Sequence, residues 1–153
     1  MNNTEIATLL NGLVEISRDG AEGFNTCADN ASDPALKAYF QDCAQSCEEA
    51  VRILSAEVRH FGGNPGMSGT AAGGLHRTWI NLKTVLTEKD NLAVLEECEM
   101  GEAAAVLAYE NALRQVIPDS LRNLLERLYE GVKKNHERVR QLRDEAKNNP
   151  NLV

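Results

Sequence analysis

Residues 95–113 read LEECEMGEAAAVLAYENAL, and this stretch decides how the rest of the chain is interpreted. Its apolar residues recur every three or four positions, which predicts an amphipathic helix with one buried stripe. Glu102 lies in the middle of that stripe, and a buried carboxylate is unfavourable by several kcal/mol unless a counter-charge, a hydrogen bond or a metal ion meets it. The stretch therefore predicts a bundle helix that carries a polar site. The stripe comprises Leu95, Cys98, Glu102, Ala105, Val106, Tyr109 and Leu113.

Three further helices accompany this one. The predicted helices cover residues 4–30, 34–61, 91–116 and 119–147. Asp33 and Pro34 supply an N-cap and a first-turn proline for the second helix, and Gly62-Gly63 ends it. Pro118 separates the third helix from the fourth. The sequence predicts an all-α protein.

The second and third helices are joined by a connection of about 30 residues, approximately 62–90, whereas the other two turns are short. The connection begins with a Gly-rich loop and continues as a short amphipathic helix with Leu75, Trp79, Leu82 and Leu86 on one side. Two helical hairpins joined by one long crossover form the ferritin-like variant of the four-helix bundle. We therefore expect one domain at residues 1–147, with a flexible tail at 148–153.

Composition excludes several classes of function. The chain of 153 residues has a formal net charge of −7, which disfavours binding to nucleic acid. We expect no export signal and no membrane span, because the sequence has neither a basic, apolar leader at its start nor a run of about 20 apolar residues. The four cysteines form no Cys-x-x-Cys pair, which is typical of a cytoplasmic protein with reduced thiols.

A metal site is one hypothesis for Glu102. If the third and fourth helices fold back near Pro118, Glu99 lies opposite His136, and Glu102 lies opposite Val132 or Lys133. Two carboxylates and an imidazole at one level of the bundle can bind iron or manganese. The alternative is a structural hydrogen-bond or ion-pair network that fixes the register of the helices.

A complete ferritin-like di-iron site requires a Glu on each of two helices and a Glu-x-x-His motif on each of the other two. Only Glu57-Val-Arg-His60 has that spacing, and it lies in the last turn of its helix. The complete set of ligands is therefore not expected. Cys43 and Cys47 lie on the inner face of the second helix, where we expect them to act as small core residues.

The crossover offers a different partner for the buried carboxylates. His76 and Arg77 stand near its start, and Trp79 is expected to anchor it against the bundle. A guanidinium can hold a carboxylate through two hydrogen bonds, so Arg77 could clamp Glu99 or Glu102. A small-ligand pocket beneath the crossover is the other interpretation. The residues assigned to this clamp or ligand site are His76, Arg77, Trp79, Asp19 and Tyr109.

Several of these motifs together resemble a bacterial, ferritin-like, four-helix-bundle family of uncharacterised proteins, a domain of unknown function. The resemblance implies a ferritin-like fold, a bacterial cytosolic setting and self-association, but no established activity. The chain departs from the family pattern at Ile53, where members often have Glu, at Cys47, where they tend to have Arg, and at His60. The Glu57-to-His60 spacing is therefore interpreted as accidental. The motifs are Asp19-Gly20, Gly23-Phe24, Gly62-Gly63, Gly69, His76-Arg77-x-Trp79, Cys98-Glu99-x-Gly101-Glu102, Tyr109 and His136.

The sequence as a whole favours a non-enzymatic bundle, a structural, interaction or stress-associated module whose metal site is reduced or lost. One alternative is an iron- or manganese-binding oxidase or storage protein that uses Glu99, Glu102 and His136. The other is a protein that binds a small ligand beneath the crossover. A homo-oligomer is expected, most simply a dimer, because dimers are the commonest closed assembly.

Overall fold

The computed structural model describes residues 1–66 and 91–148. Four long helices account for most of them, and no strand occurs in these two ranges. The predicted all-α fold with four helices is therefore confirmed for the described part of the chain. The helices are α1 (Asn3–Asn30), α2 (Pro34–His60), α3 (Asn91–Leu113) and α4 (Asp119–Asn148).

Local sequence signals explain where α1 and α2 begin. Asn2 and Glu5 form a capping box, in which each side chain accepts a hydrogen bond from the other residue's backbone N–H. At α2, the Asp33 side chain accepts a hydrogen bond from the backbone N–H of Leu36, and Pro34 occupies the first turn. Both starts satisfy backbone donors that a helix leaves unpaired.

The chain leaves α2 through a turn that is fastened to α1. Gly62 has a φ of +84°, a backbone conformation that residues with a Cβ atom rarely adopt. The buried Asn11 of α1 then donates to the Asn64 carbonyl at 3.0 Å and accepts from the Gly66 backbone N–H at 3.0 Å. One asparagine side chain therefore fixes the first residues after α2 against α1.

The third helix is shorter than the predicted 91–116, because α3 ends at Leu113. Arg122 of α4 donates to the Leu113 carbonyl at 2.6 Å and to the Gln115 carbonyl at 2.7 Å. These bonds satisfy acceptors that the end of a helix leaves free, so the turn can begin before the proline. Val116, which was predicted to be helical, is 81% exposed in that turn.

The four helices enclose a core with two apolar clusters. The first contains Phe24, Phe40 and Leu95, and the second contains Leu10 and Leu54, each with further residues of the bundle. Antiparallel contacts join α1 to α2 and α3 to α4. Other contacts join α1 to α3 and α2 to α4. Cys27 Sγ of α1 lies 3.6 Å from Cys98 Sγ of α3, and the Tyr39 hydroxyl of α2 lies 2.6 Å from Asn135 Oδ1 of α4.

The predicted crossover helix, with Leu75, Trp79, Leu82 and Leu86, lies outside the described residues. Within the described ranges, none of the helices combines the length and the apolar character needed to cross a membrane.

Candidate functional site

A cavity of about 580 Å³ lies among all four helices, at the level between the two apolar clusters. Gly20, Gly101 and Gly131 are among the residues that line it. A Cβ atom at Gly131 of α4 would meet nothing within 4 Å, whereas one at Gly20 of α1 would lie 3.1 Å from Cys47 Sγ. Gly131 is exposed on α4, and Gly20 allows α1 and α2 to approach closely. The apolar part of the wall includes Ile16, Ala50, Ile53, Ala105, Leu128 and Val132.

Glu102 lines this cavity from α3 and is only 6% exposed. Its Oε1 accepts a hydrogen bond of 2.8 Å from Asn135 Nδ2 of α4. Burial raises the pKa of Glu102 to about 7, although the hydrogen bond from Asn135 favours the ionised form and opposes part of the rise. The carboxyl group therefore changes its charge close to neutral pH.

The Asn135 side chain is held in one orientation by two donors from α2. The Tyr39 hydroxyl donates to Asn135 Oδ1 at 2.6 Å, and the Cys43 thiol donates to the same oxygen at 3.1 Å. With its oxygen facing these donors, the amide must direct its N–H groups towards Glu102. Tyr39, Cys43, Asn135 and Glu102 therefore form one continuous hydrogen-bond network across the bundle.

The thiols and phenols of the cavity are neutral groups. Burial raises the pKa of Cys43 to about 12, and the neighbouring Tyr39 hydroxyl lowers it in part. Burial, followed by the nearby Glu102 charge, raises the pKa of Cys47 further, and burial likewise raises that of Tyr39. These side chains stay protonated at neutral pH, which makes the thiols poor nucleophiles.

Tyr109 brings a second buried polar group to the cavity. It is 1% exposed, and its hydroxyl has no hydrogen-bond partner in the described part of the chain. Burial raises the pKa of Tyr109 to about 12, and the neighbouring Ser17 hydroxyl lowers it in part. Ser17 nevertheless donates to the Leu13 carbonyl at 2.9 Å and forms no hydrogen bond of good geometry with Tyr109. A buried hydroxyl left unpaired is unusual in a folded protein and requires an explanation.

The mouth of the cavity carries both signs of charge. Within residues 1–66 and 91–148, five charged side chains line the mouth, and all five belong to exposed residues. Because such groups are solvated and screened by salt, they contribute less than Glu102 to the choice of a bound molecule. They are Asp42 and Glu49 on α2, and Arg127, Lys134 and Arg138 on α4.

Glu99 and His136, two of the predicted metal ligands, are in contact outside the cavity. His136 Nε2 lies 3.2 Å from Glu99 Oε1, which agrees with the register expected for the hairpin. Arg143 also reaches Glu99, with 3.6 Å between its guanidinium nitrogen and Oε1. All three side chains are partly exposed, between 20% and 27%. They form a surface cluster in which the carboxylate already has a cationic neighbour.

The hydrogen-bond partner of Glu102 is Asn135, three residues after Val132, which the sequence predicted to lie opposite Glu102; Val132 and Asn135 both line the cavity. Among residues 1–66 and 91–148, no group of three or more His, Cys, Asp or Glu side chains is arranged to hold a metal ion. Asn135 is the functional residue that the sequence reasoning missed. The spacing Leu125, Leu128, Val132, Asn135, Val139 alternates three and four positions and could have identified it.

The remaining residues that the sequence singled out lie outside the described ranges, beside the cavity or at the end of a helix. His76, Arg77 and Trp79 lie outside the described residues, so the Arg77 clamp stays a prediction. Asp19 is half-buried on α1, beside the cavity residue Gly20. His60 is exposed at the end of α2, where its ring packs edge-on against Phe61 at 5.1 Å.

Residues 5–115 match a family model described as "Domain of unknown function (DUF2383)". The match includes α1, α2 and α3, and with them Cys43, Glu102 and Tyr109 of the cavity. No curated protein matches the chain.

Proposed function

Because the chain belongs to the DUF2383 family, whose description names no activity, we propose a function from the cavity itself: a non-enzymatic, ferritin-like bundle that binds a small organic molecule. The observation that carries this proposal is a cavity of about 580 Å³ with mostly apolar walls and two buried polar groups: Glu102, and the Tyr109 hydroxyl, which has no hydrogen-bond partner among the described residues. Small-molecule sites combine these features, with volumes of roughly 300–1,000 Å³.

The directions of the helices support the ferritin-like part of this proposal. The end of α2, with Leu54 and Val58, packs in one apolar cluster, whereas the start of α3, with Val94 and Leu95, packs in the other. The end of α2 and the start of α3 therefore lie towards opposite ends of the bundle. A long crossover between two antiparallel hairpins is the feature that separates ferritin-like bundles from simple up-and-down bundles.

The protonation states of the polar groups in the cavity favour ligand binding over catalysis. A nucleophilic cysteine requires a lowered pKa, and both cysteines of the cavity have a raised one. Asn135 holds the Glu102 carboxyl group in a fixed position. Its side-chain amide, unlike a histidine ring, does not take up or release a proton, so it cannot serve as a partner in proton transfer. The network is therefore suited to holding a ligand in one orientation.

A metal-binding oxidase or storage protein is the second candidate, and the contact between His136 and Glu99 is the observation in its favour. The side chains around Glu99 and Glu102 do not match the ligands of a di-iron site. Glu99 has Arg143 as a cationic neighbour, and Glu102 receives an N–H group from Asn135 where a di-iron site would offer further carboxylates. The described residues therefore do not supply the ligands of a di-iron site, and we derive no chemistry from one.

The ligand-binding proposal is tested by nuclear magnetic resonance with small, uncharged aromatic molecules at millimolar concentration. Binding in the cavity shifts the backbone amide signals of Gly20, Gly101 and Gly131, which lie around it and fall in a well-resolved region of the spectrum. We expect Ala105→Leu to fill the cavity and abolish the shifts. Ala103→Leu, on the same helix, is the matched control and should preserve them. The proposal fails if no molecule shifts these glycines, or if both variants respond as the wild type does.

A further inference from the structure

Glu102 brings to the cavity a carboxyl group that has no counter-charge among residues 1–66 and 91–148. Glu102 accepts one hydrogen bond, from Asn135, and no Lys, Arg or His side chain in the described part of the chain forms an ion pair with it. Burying a carboxylate in this way is unfavourable unless something compensates its charge. The cations on α4 belong to exposed residues at the mouth and remain available to water.

The surrounding network is arranged for the ionised carboxylate. Tyr39 and Cys43 fix the Asn135 amide so that it donates to Glu102, and a donated hydrogen bond stabilises a carboxylate more than a carboxylic acid. The unpaired hydroxyl of Tyr109 is a separate observation from the same cavity, and its oxygen can accept a hydrogen bond. Together the two side chains offer acceptors to a ligand that has several N–H donors.

We infer that the ligand is a small lipophilic primary amine, whose ammonium group pairs with Glu102 and donates to Tyr109, while its apolar part packs among Ile16, Ile53 and Leu128. A quaternary ammonium ion has no N–H group to donate, and a carboxylate would be repelled by Glu102. The inference rests on the proposed function, because it assigns a ligand class to the same cavity.

Three probes that share a phenyl ring and a short chain distinguish the ligand classes: phenethylamine, phenethyl alcohol and hydrocinnamate. Their binding is measured by titration calorimetry on the full chain at a pH where Glu102 is ionised. We expect the amine to bind roughly tenfold more tightly than the alcohol, and hydrocinnamate to bind weakest, since a charge-assisted hydrogen bond is about twice as strong as a neutral one.

The Glu102→Gln variant should lose the preference for the amine and bind amine and alcohol equally, whereas Glu96→Gln, an exposed position on the same helix, should retain it. If the alcohol binds the wild type as tightly as the amine, the amine assignment is overturned and the ligand-binding proposal stands. If none of the three probes binds, the amine assignment is again overturned. Whether the cavity binds any small molecule is then decided by the magnetic resonance test, in which uncharged aromatic molecules shift the glycine amide signals. Retention of the amine preference in Glu102→Gln would also overturn the inference.

Discussion

Asn135 Nδ2 donates a hydrogen bond of 2.8 Å to Glu102 Oε1, and this contact joins α4 to α3 inside the bundle. The same amide accepts from Tyr39 and Cys43 of α2, so one side chain connects three helices. The arrangement fixes the position of a buried carboxyl group without neutralising it. No Lys, Arg or His side chain in the described part of the chain compensates its charge, so the ionised carboxylate is unfavourable inside the cavity.

The first prediction concerns pH and stability. The pKa of Glu102 is raised from an ordinary 4.5 to about 7 in the folded protein. As the pH rises from 4.5 to 7, the unfolded chain releases this proton before the folded chain does, so the contribution of Glu102 to stability decreases. Above that interval the full penalty, about 3 kcal/mol, is present.

We therefore expect Glu102→Gln to exceed the wild type in free energy of unfolding by about 1–3 kcal/mol at neutral to basic pH, and by much less in acid. Urea unfolding of both proteins across this pH range is the measurement, and the difference between them cancels groups that titrate in both. Glu96→Gln serves as the exposed control. A wild type that gains stability relative to Glu102→Gln as the pH rises would contradict the assigned direction of the shift.

The second prediction concerns Asn135. Replacement by Ala leaves the Glu102 carboxyl, the Tyr39 hydroxyl and the Cys43 thiol without their shared partner. Because unpaired buried polar groups are unfavourable, we expect Asn135→Ala to lower the free energy of unfolding by about 2–3 kcal/mol. The control is Asn111→Ala, which removes an exposed bond to Arg114 and should have little effect. Equal effects of the two substitutions in chemical denaturation would exclude a structural role for the network.

The contrast between Glu102 and Asn135 shows how far the sequence could predict this site. Glu102 was recognisable because a carboxylate interrupts an apolar stripe of period 3.6. Its hydrogen-bond partner was missed because counting residues from the turn gives the level of each residue in the hairpin but not the reach of its side chain. His136 was predicted to lie at the level of the two carboxylates, but Asn135 is the residue that lines the cavity with Glu102.

The fold was predictable for a different reason. Helix boundaries depend on local signals such as Asp33-Pro34, and amphipathic periodicity determines which face is buried, so neither requires knowledge of distant contacts. A cavity is a property of four helices together, and the role of Gly20 and Gly131 in it could not be derived from any one stripe. The predicted dimer and the clamp by Arg77 stay predictions.

The third prediction concerns the unpaired hydroxyl of Tyr109. Phe at this position removes a buried polar atom without a partner and preserves the ring that packs in the core. We expect Tyr109→Phe to raise the free energy of unfolding by about 1 kcal/mol, because the desolvation penalty of the hydroxyl disappears. Tyr129→Phe is the matched control, since it removes a hydroxyl that donates to Glu110 at 2.8 Å, and it should not stabilise the protein. A loss of stability in Tyr109→Phe would indicate that the hydroxyl has a partner.

The fourth prediction uses two glycines that line the cavity, Gly20 of α1 and Gly131 of α4. Gly131 lies within α4 with open space around it, so Gly131→Ala should gain about 1 kcal/mol from helix propensity alone. Gly20→Ala should gain less, because the new Cβ would lie 3.1 Å from Cys47 Sγ. Thermal unfolding of the two variants tests the difference. Adding Cys47→Ala should restore the gain at position 20, and additive effects of those two changes would refute the steric explanation.

The last prediction concerns metal content, and it separates the two candidate functions. We expect protein purified without chelators, and then loaded anaerobically with ferrous or manganous ions, to contain the same trace of metal in the wild type and in Glu102→Ala. The reason is the donor set: an amide N–H group faces Glu102, and Arg143 lies 3.6 Å from Glu99, so both carboxylates face groups that a cation would have to displace. Elemental analysis gives the content, and His136→Ala provides an independent check of the surface pair. One or two ions per chain in the wild type, lost in both variants, would establish the metal-binding function and displace the ligand-binding one.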